Sequence, residues 1–217
     1  MGDERTVKGG RTGIAALLTV SLALAVGGLL VYELSHPDNA RPARAHVIPP
    51  DRSPLGEFQL IQDSGRPFGL ADLRGKWTFL YFGYSACLDV CPATLGELNR
   101  VQQLLASQGA DDDTAYVFVS VDPQRDTPAR LSDYLGHFNP KFQGVTGDSE
   151  QLSRLARPLQ ISYQRTTRAN HLGDYGIDHS SIIALIDPAG RPRALFPTPQ
   201  PPEQLVAEFL QIRAAGP

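Results

Sequence analysis

Cysteine is almost absent: the 217 residues hold two, Cys87 and Cys91. A disulfide framework is therefore excluded as the stabiliser of a fold this size, and a hydrophobic core must do that work. A broad positive field is also missing. Twenty Lys and Arg stand against 23 Asp and Glu, a formal charge of −3, and the basic residues are scattered. Nothing here suits a nucleic-acid partner, and no zinc-finger or helix-turn-helix signature occurs. Internal repeats are lacking. Long uncharged runs are scarce too, with a single one from Thr12 to Tyr32.

That run divides the chain. A helix crosses a ~30 Å hydrocarbon core with about 20 residues, so residues 12–32 are expected to form one transmembrane anchor. A cleaved signal peptide is the alternative. Its apolar region is usually about 7–15 residues with a small-residue site close behind, whereas Ala43-Arg44-Ala45 lies well past the run. Arg5, Lys8 and Arg11 precede it, which places residues 1–11 in the cytoplasm and the rest outside. The expected location is the inner (plasma) membrane, single pass, with a periplasmic or extracytoplasmic domain. Residues 33–53 include Pro37, Pro42, Pro49 and Pro50 and read as an extended linker. His36 and His46 in that linker read as solvent-exposed.

Apolar content of 41% suits a globular domain, expected over residues 54–215. Phe58 to Ile61 reads as a short strand, and Trp77 to Phe82 as a central strand buried on both faces. Pro92 opens a helix with the stripe Leu95, Leu98, Val101, Leu104 and Leu105, ending at Gly109. Tyr116 to Val121 is a second buried strand. Thr127-Pro128 and Asp148 begin two further helices. A short strand near Ile161 to Gln164 is followed by a loop carrying His171 and His179. Ser181 to Ile186 and Arg193 to Phe196 form a hairpin through a turn at Asp187-Pro188-Ala189-Gly190. A last helix starts at Pro201-Pro202. Asp111-Asp112-Asp113 reads as a solvated loop. Early strand–helix alternation and a late hairpin predict an α/β fold: a mixed sheet with helices on both faces. A cysteine pair between a central strand and its helix makes it thioredoxin-like.

The two thiols lie near a helix N-terminus, where the dipole favours thiolate. Pro92 disfavours a helical Cys91, so the pair occupies either a separate turn or the start of the long helix. A thioredoxin-like redox motif is C-x-x-C, but three residues intervene here. A disulfide across that spacing depends on geometry. The spacing also suits two ligands to one metal. Zinc asks for four protein ligands, or three and water; two sulfurs and a nitrogen match copper better, as Cu(I) or Cu(II). His179 is the candidate third ligand, because the loop before Ser181–Ile186 lies beside the active-site turn of a thioredoxin-like sheet. Asp178 could orient its imidazole, or simply start the strand. His171 is a weaker candidate, and His137 reads as a helix C-terminal residue.

Tyr81-Phe82-Gly83-Tyr84, Cys87 and Cys91-Pro92, Ser120-Val121-Asp122-Pro123 with Arg125-Asp126-Thr127-Pro128, Asp178-His179-Ser180 and Leu185-Ile186-Asp187-Pro188-Ala189-Gly190 occur in this order. In these the sequence resembles the Sco/SenC family: membrane-anchored, thioredoxin-like copper proteins that help assemble the dinuclear copper centre of cytochrome c oxidase. The resemblance implies one copper ion held by Cys87, Cys91 and His179. It implies delivery to the copper-site subunit of the oxidase, with an upstream copper donor or thiol reductant as a further partner. A classical enzyme is not implied; the alternative is a thiol–disulfide oxidoreductase that reduces the acceptor's cysteines. A peroxidase-like sensor ranks last, as no Thr-x-x-Cys pattern occurs. The family pattern is usually C-P-x-x-C-P, often with His before the first cysteine; this chain has Leu88 and Ala86 at those places.

Overall fold

The computed structural model describes residues 44–169 and 175–216, together with isolated helical positions at Ser21, Leu24, Val26, Gly27 and Gly28. The anchor expected over residues 12–32 lies almost entirely outside the described residues, as do the cytoplasmic tail, His36 and His171. Among the described residues no helix is long and apolar enough to cross a membrane. One compact unit spans Ala43–Pro217. Its first strand therefore falls inside the stretch read as linker, and His46 on it is exposed.

The strands are β1 (His46–Val47), β2 (Gln59–Gln62), β3 (Pro67–Gly69), β4 (Trp77–Gly83), β5 (Thr114–Ser120), β6 (Phe142–Thr146), β7 (Tyr163–Ala169), β8 (Tyr175–His179), β9 (Ile182–Ile186) and β10 (Pro192–Pro197). The helices are α1 (Leu70–Leu73), α2 (Val90–Ser107), α3 (Pro128–Gly136), α4 (Ser149–Ala156) and α5 (Pro202–Ala214). Eight strands form one mixed sheet in the order β1-β10-β9-β4-β5-β6-β2-β3, and β7 and β8 form a separate two-stranded ribbon.

The centre of the sheet follows from composition. All seven residues of β4 are buried, so both faces of the sheet are covered there, as a continuous apolar run requires. β4, β5 and β6 are adjacent and parallel. Their crossovers through α2 and α3 step in the same direction, and right-handedness puts both helices on one face. On that face Phe79 packs against Tyr116, Phe196 and Phe209, with ring centroids 5.4, 6.4 and 5.1 Å away. Thr127 caps α3 by accepting from the Arg130 backbone N–H, and Asp148 caps α4 from Gln151; each satisfies one of the amides a helix start leaves free.

β9 runs antiparallel to β4, pairing Tyr81 with Ile183 and Thr78 with Ile186. The start of β9 therefore sits beside the end of β4. That topology sets the last residue of β8 next to the loop that leaves β4.

One expectation is overturned at the opposite end of the sheet. Asp111 is buried, not solvated. Its carboxylate accepts from Gln102 Nε2 at 2.7 Å, Thr114 Oγ1 at 2.7 Å, Tyr116 Oη at 2.8 Å and Lys141 Nζ at 2.5 Å. Burial opposes ionisation of Asp111, but the hydrogen bonds from Lys141, Thr114, Gln102 and Tyr116 outweigh it and lower the carboxyl pKa.

Candidate metal centre

The last residue of β4, Gly83, is a glycine for a steric reason. A Cβ there would lie 2.8 Å from Cys91 Sγ and 2.8 Å from Phe118 Cε2, too close for any side chain to fit unchanged. The chain then turns: the Cys87 N–H donates to the Tyr84 carbonyl at 3.2 Å. α2 begins at Val90, so Cys91 lies in its first turn and Cys87 in the loop just before it. This resolves the two alternatives for the pair in favour of a helical Cys91. Asp89 stands at the cap position without a side-chain cap bond. The Cys91 N–H instead points at Cys87 Sγ, 3.5 Å away. The first sulfur thus takes one of the amides left open at the helix start.

A buried carboxylate braces this loop from behind. Asp126, fully enclosed, accepts from the Ser85 N–H at 2.9 Å, from Ser85 Oγ, and from Ser120 Oγ at 2.5 Å. Arg130 Nε donates to Ser85 Oγ at 2.8 Å. Residues just after β4 and β5 are so tied together below the cysteines.

His179 closes the site from the other side. Its Nε2 is 3.4 Å from Cys91 Sγ. Its Nδ1 faces the Ser180 carbonyl at 3.3 Å; a proton on Nδ1 directed there leaves the Nε2 lone pair free. Asp178, the orienting group considered from sequence, is exposed, and the Ser180 carbonyl stands at Nδ1. Tyr81 and Tyr84 present their rings edge-on to the imidazole, with centroids 6.1 and 6.0 Å away. The donor atoms of Cys87, Cys91 and His179 all lie within 4.8 Å of one another. Cys91 is buried, whereas Cys87 and His179 are half-buried, so the site opens outward on their side. Leu88 and Val90 are exposed on that rim.

The sulfurs are electrostatically unequal. A hydrogen bond from Cys91 is the main influence holding the Cys87 thiol down to about 3, opposed by burial and aided by the neighbouring His179 side chain. The Cys91 thiol is pushed up, first by its hydrogen bond to Cys87, then by burial and the Cys87 charge. The pKa of the Tyr81 hydroxyl is raised chiefly by burial. With both cysteines reduced, the pair carries one thiolate and one thiol at neutral pH. A soft cation would replace the shared proton. Two sulfurs and one imidazole suit copper by donor softness. Among the described residues no fourth His, Cys, Asp or Glu joins the cluster.

The structure brings together all three residues singled out from sequence. His137 lies apart, its Nδ1 2.7 Å from the Asp133 carbonyl. The expected loop before β9 is instead the ribbon β7–β8, and His179 is the last residue of a strand. Sequence reasoning did not identify Ser85, Asp126 or Tyr84 as parts of the site. The alternation Tyr175, Ile177, His179 was a strand signal available for β8.

A model of the family described as SCO1/SenC matches residues 49–213. An SCO2-like protein of Rickettsia felis is 32% identical over 199 residues, covering 91% of this chain and 96% of the relative. Among solved structures, that of Arabidopsis thaliana ScoI with copper bound is 32% identical, with a TM-score of 0.69, covering 75% of this chain and 99% of the other. That of Bradyrhizobium japonicum ScoI with copper bound is also 32% identical, with a TM-score of 0.65 and coverage of 74% and 99%.

Proposed function

The chain belongs to the SCO1/SenC family, and from that premise we propose that it is a copper metallochaperone. It binds one copper ion through Cys87, Cys91 and His179 and delivers it to the dinuclear copper site of cytochrome c oxidase. The convergence of those three donors within 4.8 Å carries the reading; the copper-bound relatives support it. Residues 12–32 anchor the chain in the inner membrane and hold the domain on its extracytoplasmic side, a placement supported by the apolar run and its basic flank.

The arrangement suits a carrier. Copper held by three donors keeps a position open to an incoming thiolate. Cys87 and His179, on the outer side, can yield first to the acceptor's cysteines, while Cys91 stays enclosed. A second reading rests on the Cys87 thiolate. Attack on an acceptor disulfide would form a mixed disulfide, and Cys91, as thiolate, would then displace the acceptor's sulfur. The acceptor is reduced by two electrons and this chain leaves as the Cys87–Cys91 disulfide. That route needs both cysteines but not His179.

Transfer separates the two. Copper-loaded full chain is mixed with the reduced, copper-free copper-site subunit of the oxidase, and copper is followed after separation. The proposal expects copper to move to the acceptor, and His179→Ala to lower loading. Reduction of an oxidised acceptor by wild type and His179→Ala alike, with no copper moved, would replace the chaperone reading with the reductase.

A further inference from the structure

His179 sits on a ribbon outside the eight-stranded sheet. A two-stranded ribbon is marginal on its own, so the place of its imidazole depends on what docks the ribbon. On the C-terminal side the chain continues into β9. On the other side, Tyr175, Ile177 and His179 alternate along β8 and share one face. Ile177 is buried, and His179 reaches Cys91.

Tyr175 makes the third attachment, to the loop after β5. Its hydroxyl donates to Asp122 Oδ1 at 2.5 Å, and the Asp122 side chain is fully enclosed. The other Asp122 oxygen pairs with Arg125 Nε. Arg125 Nη1 donates to the Tyr175 carbonyl at 3.1 Å. The Tyr175 ring lies near two guanidinium groups, Arg125 at 3.9 Å and Arg165 at 4.1 Å from its centroid. Arg125 also lies 5.5 Å from the Tyr84 ring centroid, and Tyr84 abuts the imidazole. One arginine therefore touches both the far end of β8 and an aromatic neighbour of His179.

Resting on the reading of Cys87, Cys91 and His179 as copper ligands, we propose that Tyr175 is a positioning residue: clamped by Asp122 and Arg125, it holds β8 so that His179 Nε2 faces Cys91. Tyr175 touches no copper. Its effect reaches the metal through the strand it shares with His179. Releasing the clamp lets the ribbon swing about Ser180 and withdraws the imidazole, leaving the cysteine pair in place on α2.

The test uses the reduced full chain, titrated anaerobically with Cu(I) against a chromophoric chelator. X-ray absorption reports two- or three-coordinate copper. Tyr175→Ala is expected to weaken binding about 10–100-fold, the usual range for a residue orienting a metal ligand, and to shift copper towards two-coordination. Tyr175→Phe keeps the ring but loses the bond to Asp122, and should fall between. The double variant Tyr175→Ala/His179→Ala should bind no more weakly than His179→Ala, because both remove the same ligand. Wild-type affinity and three-coordination in Tyr175→Ala, with His179→Ala weakened, would overturn the clamp and leave the functional reading intact. A double variant much weaker than His179→Ala would also overturn it, since Tyr175 would then act on the cysteines. His179→Ala with unchanged affinity would overturn the ligand reading itself.

Discussion

Cys91 Sγ and His179 Nε2 stand 3.4 Å apart although 88 positions separate them in the chain. Their meeting is a consequence of topology. β4 delivers the cysteines at its C-terminal end, and β9, antiparallel to it, begins there. The charge and packing around this pair determine the predictions that follow.

Cys87 should be the reactive thiol. Its pKa is held down to about 3 and its side chain is half-buried, while Cys91 is enclosed and its thiol favoured. With reduced, metal-free protein, iodoacetamide is expected to label Cys87 first. The rate should be nearly flat from about pH 5 to 8, where an ordinary thiol of pKa ~8.5 would gain steeply. Mass spectrometry of timed samples reads this directly.

The same depressed pKa links stability to pH. The folded chain keeps Cys87 ionised down to about 3, whereas the unfolded thiol protonates below ~8.5. Between these values the unfolded state binds the extra proton, so stability from this group rises with pH and is lost as pH falls towards 3. The raised Cys91 thiol acts oppositely, losing its contribution as pH climbs above ~8.5. The difference in urea stability between wild type and Cys87→Ser should therefore grow in favour of wild type from pH 4 to 8.

Gly83→Ala should damage the site through packing. The new methyl would meet Cys91 Sγ and Phe118 at 2.8 Å, and overpacking of this kind costs about 1–3 kcal/mol. Reduced stability in urea should come with weaker copper binding, because the displaced atom is a candidate ligand.

Asp126→Ala should cost about 3 kcal/mol, since it strips partners from the Ser85 N–H, Ser85 Oγ and Ser120 Oγ. Asp111→Ala offers the contrast. It removes a buried carboxylate with several partners, but at the other end of β4 and β5. Comparable destabilisation is expected, with copper affinity of the folded fraction within about twofold of wild type, as distant sites act independently. Urea unfolding and copper titration on both variants check the pair.

Much of the fold is legible in local pattern. The near-continuous apolar and aromatic run at Trp77–Phe82 specifies a doubly buried strand, and the Leu95–Leu98–Val101–Leu105 stripe specifies the buried face of α2. Ser181–Ile186 reads as a strand because its apolar residues fill the core on both sides. The illegible parts depend on long-range partners. Asp111 belongs to an acidic run that looks solvated until Gln102, Tyr116 and Lys141 arrive from three other segments. β7 extends to Ala169 through polar residues and a register shift after Thr166, so no simple alternation marks it. β1 is a two-residue pairing with β10 in a proline-rich stretch. At the site, the residue types of Cys87, Cys91 and His179 betray their chemistry. Asp126 and Tyr175 do not, because a carboxylate or phenol becomes a brace only through what it touches.

The central claim is a copper site built from two thiolates and one imidazole. Its most direct test is anaerobic copper titration of the reduced full chain beside His179→Ala, with bound metal counted per chain. One copper per wild-type chain, bound more weakly after the substitution, is the predicted result. Wild type and variant both failing to hold copper, or binding it with equal strength, would contradict the account.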